Sequence, residues 1–485
     1  MEKQLGILCH VSSVPSDFGI GDFGVSSKNF LDTLADNNIN IWQVLPLNIT
    51  NKYNCPYSSF CYFSYDEMLV GLETFLSSGV ITEEDVKELR KLSNTKKVNY
   101  FIVKAEKSRI LDKIYSKIDD YSKKKLLEFV ENNPDIYNFA VVKVLLKKNN
   151  CESLKDLDKK YLNKKNKAYT DFVKENNEAI LREVYVQYIL DGQWKEIRAY
   201  AKCRGIRILG DLPIYPNPDS FDVFNNPEAY RVDKKTFAPL VTGGVPADKI
   251  DKFDQNWGTC VYDWEYLKSK HYKYLIDKIK KLLERCDILR LDHFLGYVEH
   301  YEWSAKNPEK GKWVKGGGED FFEELSKRID INRIVVEDIG PEKKEAIKVK
   351  EKMHLLGMNV LQRIKWDNPE DENIPKNIKN DSIYYLGTHD NNTYMGYLKK
   401  LSRKKKKLLK EYLGINKNNN KQILIESIKR MLNSKSSIIM ITMQDVLFQG
   451  EKWKMNTPGQ AADCWEYRVP KNYKNKMKRF MEFIE

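Results

Sequence analysis

Eight short apolar runs punctuate the chain, each followed by a polar loop and then by helically spaced sequence. They cover residues 5–11, 40–47, 206–212, 287–294, 333–337, 358–362, 382–386 and 437–443. Runs of this length, bounded by turn-forming residues, predict strands. The stretches between them place apolar residues on one helical face, as Phe30, Leu31 and Leu34 do within 26–37. Strands alternating with helices predict a parallel sheet, and eight of them predict a closed (β/α)8 TIM barrel of α/β class.

Two stretches interrupt the alternation. Residues 67–194 are dense in Lys, Glu, Asp and Leu, with helical spacing at Leu126, Phe129 and Val130 and again at Phe139, Val142 and Leu145. They predict a large, mainly α-helical insertion, whose last helix (177–204) returns to the barrel. The chain then divides into 1–66 with strands one and two, 67–194 as the insertion, and 195–485 with strands three to eight. Within that last part, residues 215–264 read as an extended, Pro/Asn/Asp-rich βα loop, and loops of such length in a compact domain usually carry function. Residues 399–432 read as a very basic helical segment.

Composition narrows the classes. The chain has 485 residues, 41% of them apolar and 12% aromatic, enough for a sizeable core. Its net charge of +13 raises a nucleic-acid reading. Lysine supplies most of that charge and is spread over amphipathic segments, with no zinc-finger, RNP-like or Arg-rich pattern beside it. The expectation is a solvated surface and no nucleic-acid partner. Eight scattered cysteines contain no CxxC pair, so no metal site is expected, and reduced thiols predict a cytoplasmic protein. No apolar stretch approaches membrane-spanning length.

Acidic residues collect at the strand ends: Asp211, Asp292, Glu337, and Asp390 beside His389. On a (β/α)8 barrel these ends converge on one mouth. In Arg290-Leu291-Asp292, the cation and the acid share a strand face, and Arg290 favours the ionised form of Asp292. Taken alone the pair also reads as a structural salt bridge. Together with the other acids it predicts glycosyl transfer, which needs one ionised carboxylate as nucleophile and one protonated carboxyl as acid. Asp292 fits the first role. Glu337, at the end of an apolar strand, fits the second. Asp390 would support the oxocarbenium-like transition state. Aromatic residues in loops (Tyr57, Tyr62, Trp257, Tyr301, Trp303) offer flat faces for sugar rings.

Nine stretches, in order along the chain, resemble the 4-α-glucanotransferases (amylomaltases), a branch of the α-amylase superfamily. They are His10–Pro15 with Phe18–Asp22, Trp42–Leu47, Pro56–Phe60, Gly210–Tyr215, Arg290–Phe294, Glu337–Gly340, Gly357–Gln362, Gly387–Asn391 and Met455–Gly459. The resemblance implies a retaining enzyme that moves α-1,4-glucan segments between malto-oligosaccharides through a covalent glycosyl-enzyme. It assigns Asp292 as nucleophile, Glu337 as acid/base and Asp390 as transition-state stabiliser. It places Arg290, His389, Asp248, Trp257 and Asn456 against substrate, and its matching stretches add Tyr57, Asp211 and His293. It implies no cofactor and no C-terminal β-sandwich domain. The chain departs from the family at Thr242–Asp248, Thr259-Cys260 and Ala462–Trp465, so the acceptor side is expected to differ. An α-glucan hydrolase using the same trio, or a binding protein using the basic segment, are the competing readings.

Overall fold

The computed structural model describes residues 3–247, 254–340, 343–379, 381–416, 419–460 and 462–484. Twelve strands form among them: β1 (Gln4–Leu8), β2 (Ile41–Gln43), β3 (Arg207–Leu212), β4 (Val241–Val245), β5 (Gln255–Cys260), β6 (Ile288–Leu291), β7 (Glu299–Ser304), β8 (Asn307–Lys315), β9 (Ile334–Val336), β10 (Gly357–Val360), β11 (Ser382–Tyr385) and β12 (Ile438–Thr442). Eight of these pair in parallel in the order β10-β11-β12-β1-β2-β3-β6-β9. The outer members meet through a single bridge, Val335 to Leu356, supported by Val336 N–H donating to Leu356 O at 2.9 Å. That contact closes the sheet into the (β/α)8 barrel that the apolar runs predict.

Side chains alternate along each strand, so one set faces the barrel axis. Leu8, Ile41, Leu209, Ile288, Val335 and Met440 belong to one buried apolar cluster there. Two residues further along three of these strands, the same face carries Asp211, Arg290 and Glu337. Register puts Asp211 directly beside Arg290 across β3 and β6, and Arg290 beside Val335 across β6 and β9. An apolar floor with a charged rim is therefore written into the alternation.

Between β2 and β3 lie seven α-helices, from Glu73–Ser77 to the long Asn177–Cys203. Trp194 on that last helix packs on Phe23 with ring centroids 4.7 Å apart. Two of its glutamines replace a strand partner for the incoming chain. Gln187 accepts from Tyr65 N–H (2.7 Å) and donates to Tyr65 O (2.9 Å), and Gln193 does the same for Gly71 at 2.9 Å each way. Buried backbone groups need such partners, which fixes how these helices sit on the barrel.

The region 215–264 is not a loop throughout. It contributes β4 and β5 to a four-stranded antiparallel sheet ordered β5-β4-β7-β8. Tyr301 and Trp303, expected in loops, lie on β7 of the same sheet. The apolar pattern hid these strands because Gly243 and Gly244 read as a turn, and because β7 buries His300 and Glu302. Glu302 is held there by Arg231 at 2.6 Å. The glycines are required by close approach: a Cβ on Gly243 would stand 2.8 Å from the Tyr215 ring, and one on Gly244 would meet Gln255 O.

Two expected helices are divided. The helical sequence leading into β6, read from its apolar spacing as one helix over 266–286, breaks at His271 and Tyr272, whose φ values of 49° and 52° are left-handed, giving Trp264–Ser269 and Lys273–Leu283. The basic segment forms Tyr394–Lys400, Arg403–Leu413 and Asn420–Leu432, the second stopped by Gly414 at φ 71°. Among the described residues no helix is long and apolar enough to cross a membrane.

Candidate active site

Arg290 organises the barrel mouth. Its Nη1 donates to both carboxylate oxygens of Asp211, at 2.9 and 2.8 Å, while Nη2 lies 2.8 Å from Asp292 Oδ1. One guanidinium thus serves two carboxylates, which its planar set of donors permits and an ammonium does not. Asp211 is fully enclosed and also accepts from the Tyr57 hydroxyl at 2.5 Å. Burial pushes its carboxyl up from the ordinary range, and Arg290 pulls against that. Asp211 thus supports both Arg290 and Tyr57. Asp292, by contrast, keeps a quarter of its side chain exposed (25%) at the mouth.

Glu337 sits where β9 ends. Its carboxyl accepts from His293 N–H and from Ile339 N–H, each at 3.0 Å. His293 can aim its N–H there because its backbone is left-handed, with φ 51°. Burial raises the Glu337 carboxyl, the Arg290 charge opposes that, and Asp292 and Asp338 reinforce it, bringing the group to about 7. A carboxyl that holds its proton near neutrality is the device general-acid catalysis needs. Burial lowers the His293 imidazole to about 4, so it is neutral, and its Nε2 is buried without a hydrogen-bond partner among the described residues. Trp257 stands edge-on to that ring at 5.0 Å. Glu337, His293, Pro246 and Trp313 line a common cavity.

In the loop after β11, Asp390 Oδ2 lies 3.3 Å from His389 Nε2, and Asn456 Nδ2 donates to Oδ1 at 2.6 Å. Burial works to raise the Asp390 carboxyl, but His389 and Asn456 outweigh it and hold the group at about 2. Burial likewise disfavours the His389 cation, yet Asp390 keeps its pKa above the ordinary value. The His389 ring stacks on Tyr57 (4.8 Å, 12° between planes), and Trp465 leans on both at 5.9 and 6.0 Å.

Tyr57, Asp211, Arg290, Asp292, His293, Glu337, His389, Asp390 and Asn456 thus gather at the barrel strand ends and the loops beside them, with Trp257, on β5 of the second sheet, against His293. Asp248 lies outside the described residues. Trp465, marked in the sequence only as the end of the departing stretch Ala462–Trp465 and not as a site residue, stands among the aromatic residues of this wall. Sequence reasoning also passed over Asp338, whose Oδ1 accepts from Met358 N–H at 2.8 Å and whose Oδ2 pairs with Lys350 at 2.5 Å. The first bond holds β10 to the end of β9 where the backbone ladder is thinnest, and the second ties the helix Lys344–Lys352 to the same residue. Among the described residues no group of three or more His, Cys, Asp or Glu side chains is placed to hold a metal ion.

The family model described as 4-alpha-glucanotransferase matches residues 9–474. The chain belongs to the 4-α-glucanotransferase family. It is therefore a glycosyltransferase-type enzyme. A 4-alpha-glucanotransferase of Aquifex aeolicus is 32% identical over 488 residues, covering 100% of this chain and 98% of that protein. One from Clostridium butyricum is 29% identical, with 96% of each chain covered. Among solved structures, the amylomaltase from Streptococcus agalactiae in complex with acarbose superposes with a TM-score of 0.94 at 26% identity, covering 99% of this chain and 98% of that one.

Proposed function

We propose that the enzyme is a retaining 4-α-glucanotransferase that works through a covalent glycosyl-enzyme. Asp292 attacks the anomeric carbon of a bound α-1,4-glucan while Glu337 protonates the departing glycosidic oxygen. The non-reducing segment stays on Asp292 as an ester and the reducing-end segment leaves. Glu337, now ionised, takes the proton from the 4-hydroxyl of an incoming glucan or glucose, which attacks the ester and restores the α-1,4 bond. Two displacements return the starting stereochemistry. Asp390, with His389 and Asn456, faces the positive charge that builds on the sugar ring. Arg290 holds Asp292 in place, and Trp257 and His293 flank the acceptor side beside Glu337.

The observation that carries this reading is the pairing of environments. Asp292 sits against a guanidinium at 2.8 Å, while the neighbouring Glu337 is lifted to about 7. Proton-holding and charge-bearing carboxyls side by side are what double displacement at a glycosidic bond requires. The relative of known structure carries acarbose, which supports a malto-oligosaccharide-like ligand here. Eight unpaired cysteines support a reducing, cytoplasmic setting.

The test is a product analysis with maltotriose as sole substrate. Transfer predicts glucose and a ladder of longer oligosaccharides with an unchanged total of reducing ends, because one bond is broken for each bond made. Reducing ends that rise in step with substrate loss, with nothing longer than maltotriose, would identify a hydrolase.

A further inference from the structure

The head of one helix between β2 and β3 reaches the loop that carries Trp465. Tyr100 opens the helix Tyr100–Ser116, and its hydroxyl donates to Trp465 O at 2.7 Å. Just before it, Val98 N–H donates to Glu466 O at 2.8 Å, and Lys97 pairs with Asp463 at 2.8 Å and Glu466 at 3.0 Å. The segment thus strapped is strained. Asp463 and Trp465 both sit in the left-handed region, at φ 58° and 67°, where a side chain as large as tryptophan's is disfavoured. Such a conformation persists only when its surroundings hold it.

What the strap holds is continuous with the catalytic rim. Trp465 N–H donates to Met455 O at 2.7 Å. The next residue, Asn456, donates to Asp390 Oδ1 at 2.6 Å. The Trp465 ring also leans on His389, the other partner of Asp390. A line of three short hydrogen bonds therefore runs from the head of a helix to the carboxylate that faces the transition state. Asn456 has its place because Met455 is anchored by Trp465, and Trp465 has its place because Tyr100 and Lys97 hold its loop.

We propose that Tyr100 is a positioning residue for Asp390, acting through Trp465 and Asn456, and that keeping this strained loop in register is the task of the intervening helices in the reaction. The inference rests on the reading of Asp390 as transition-state stabiliser. It gives the helical region a kinetic role distinct from simple bulk. A hydrogen bond lost at Tyr100 lets Asn456 and Asp390 drift where charge develops in the transition state, so the loss should appear mainly in kcat.

The experiment is a double-mutant cycle on maltotriose disproportionation with Tyr100→Phe, Asn456→Ala and the pair. Tyr100→Phe is expected to lower kcat roughly fivefold, with KM and melting temperature nearly unchanged, the size expected for one lost neutral hydrogen bond. In the Asn456→Ala background the same substitution should cost less than about twofold, because residues acting in one chain are not additive. Tyr115→Phe, which removes a hydroxyl bonded to Glu178 at 3.1 Å in the same helical region, should leave kcat unchanged. Lys97→Met removes only exposed ties to the loop and should show the same coupling to Asn456 if Tyr100→Phe folds poorly. Equal losses in both backgrounds, or no loss of kcat at Tyr100 and Lys97, would overturn the proposal. Asp390→Asn separates the two levels. Near-native turnover by that variant removes the role of Asp390 itself, whereas an inactive Asp390→Asn beside a fully active Tyr100→Phe removes only the relay.

Discussion

Arg290 Nη2 lies 2.8 Å from Asp292 Oδ1 while Nη1 of the same side chain grips both oxygens of Asp211. The pairing separates two tasks, anchoring a cation beneath the mouth and presenting an anion at it. Arg290→Ala should lower folding stability by roughly 3–5 kcal/mol, since it leaves Asp211 buried without its counter-charge. Removing both partners as Arg290→Met with Asp211→Asn should recover most of that stability and none of the activity. Urea unfolding and kcat/KM on the three proteins check this. Recovery of turnover in the double variant would show that Arg290 is purely structural.

On the proposed mechanism Glu337 sets the pH dependence. As the acid it must be protonated in the free enzyme, so kcat/KM should fall as pH rises through about 7. Its folded pKa lies above the unfolded value of 4.5, so the stability it contributes is present below 4.5 and is lost as pH rises through about 7. Glu337→Gln should remove that pH-dependent part of the melting curve and slow turnover of maltotriose by on the order of 10²-fold or more. A donor with an acidic leaving group, such as a nitrophenol, needs less protonation and should lose much less in the first step. Uniform loss on both donors would count against Glu337 as the acid.

On the proposed mechanism Trp257 meets the acceptor. It is 38% exposed and stands edge-on to His293. Transfer outcompetes hydrolysis only when a sugar hydroxyl is held in position and water is kept out. Trp257→Ala should raise the acceptor concentration needed for half-maximal transfer and increase the fraction of turnovers that release a new reducing end. An unchanged ratio of hydrolysis to transfer would place the acceptor elsewhere.

The barrel was legible because its signal is local. Each run, such as Ile-Leu-Arg-Leu over Ile288–Leu291, carries its own alternation, and β-α order then dictates parallel pairing. The rim acids followed from the same alternation, which places Asp211 and Glu337 two residues beyond Leu209 and Val335. The antiparallel sheet was hidden because its strands obey no apolar period. Gly243 and Gly244 are there for backbone approach, and Glu302 is buried by virtue of Arg231, a partner 71 residues away. Trp465 and Tyr100 were hidden for a related reason. Their importance lies in a bond between residues 365 positions apart, and no local pattern announces it.

The proposed mechanism requires that Asp292 become glycosylated. Intact-protein and peptide mass spectrometry of the enzyme, incubated with a fluorinated maltosyl donor that slows the second displacement, tests it directly. The predicted result is one added sugar per chain, carried by the peptide containing Asp292 and absent in Asp292→Asn. A label on another residue would contradict the mechanism, as would steady turnover of the donor with inverted product and no labelled protein.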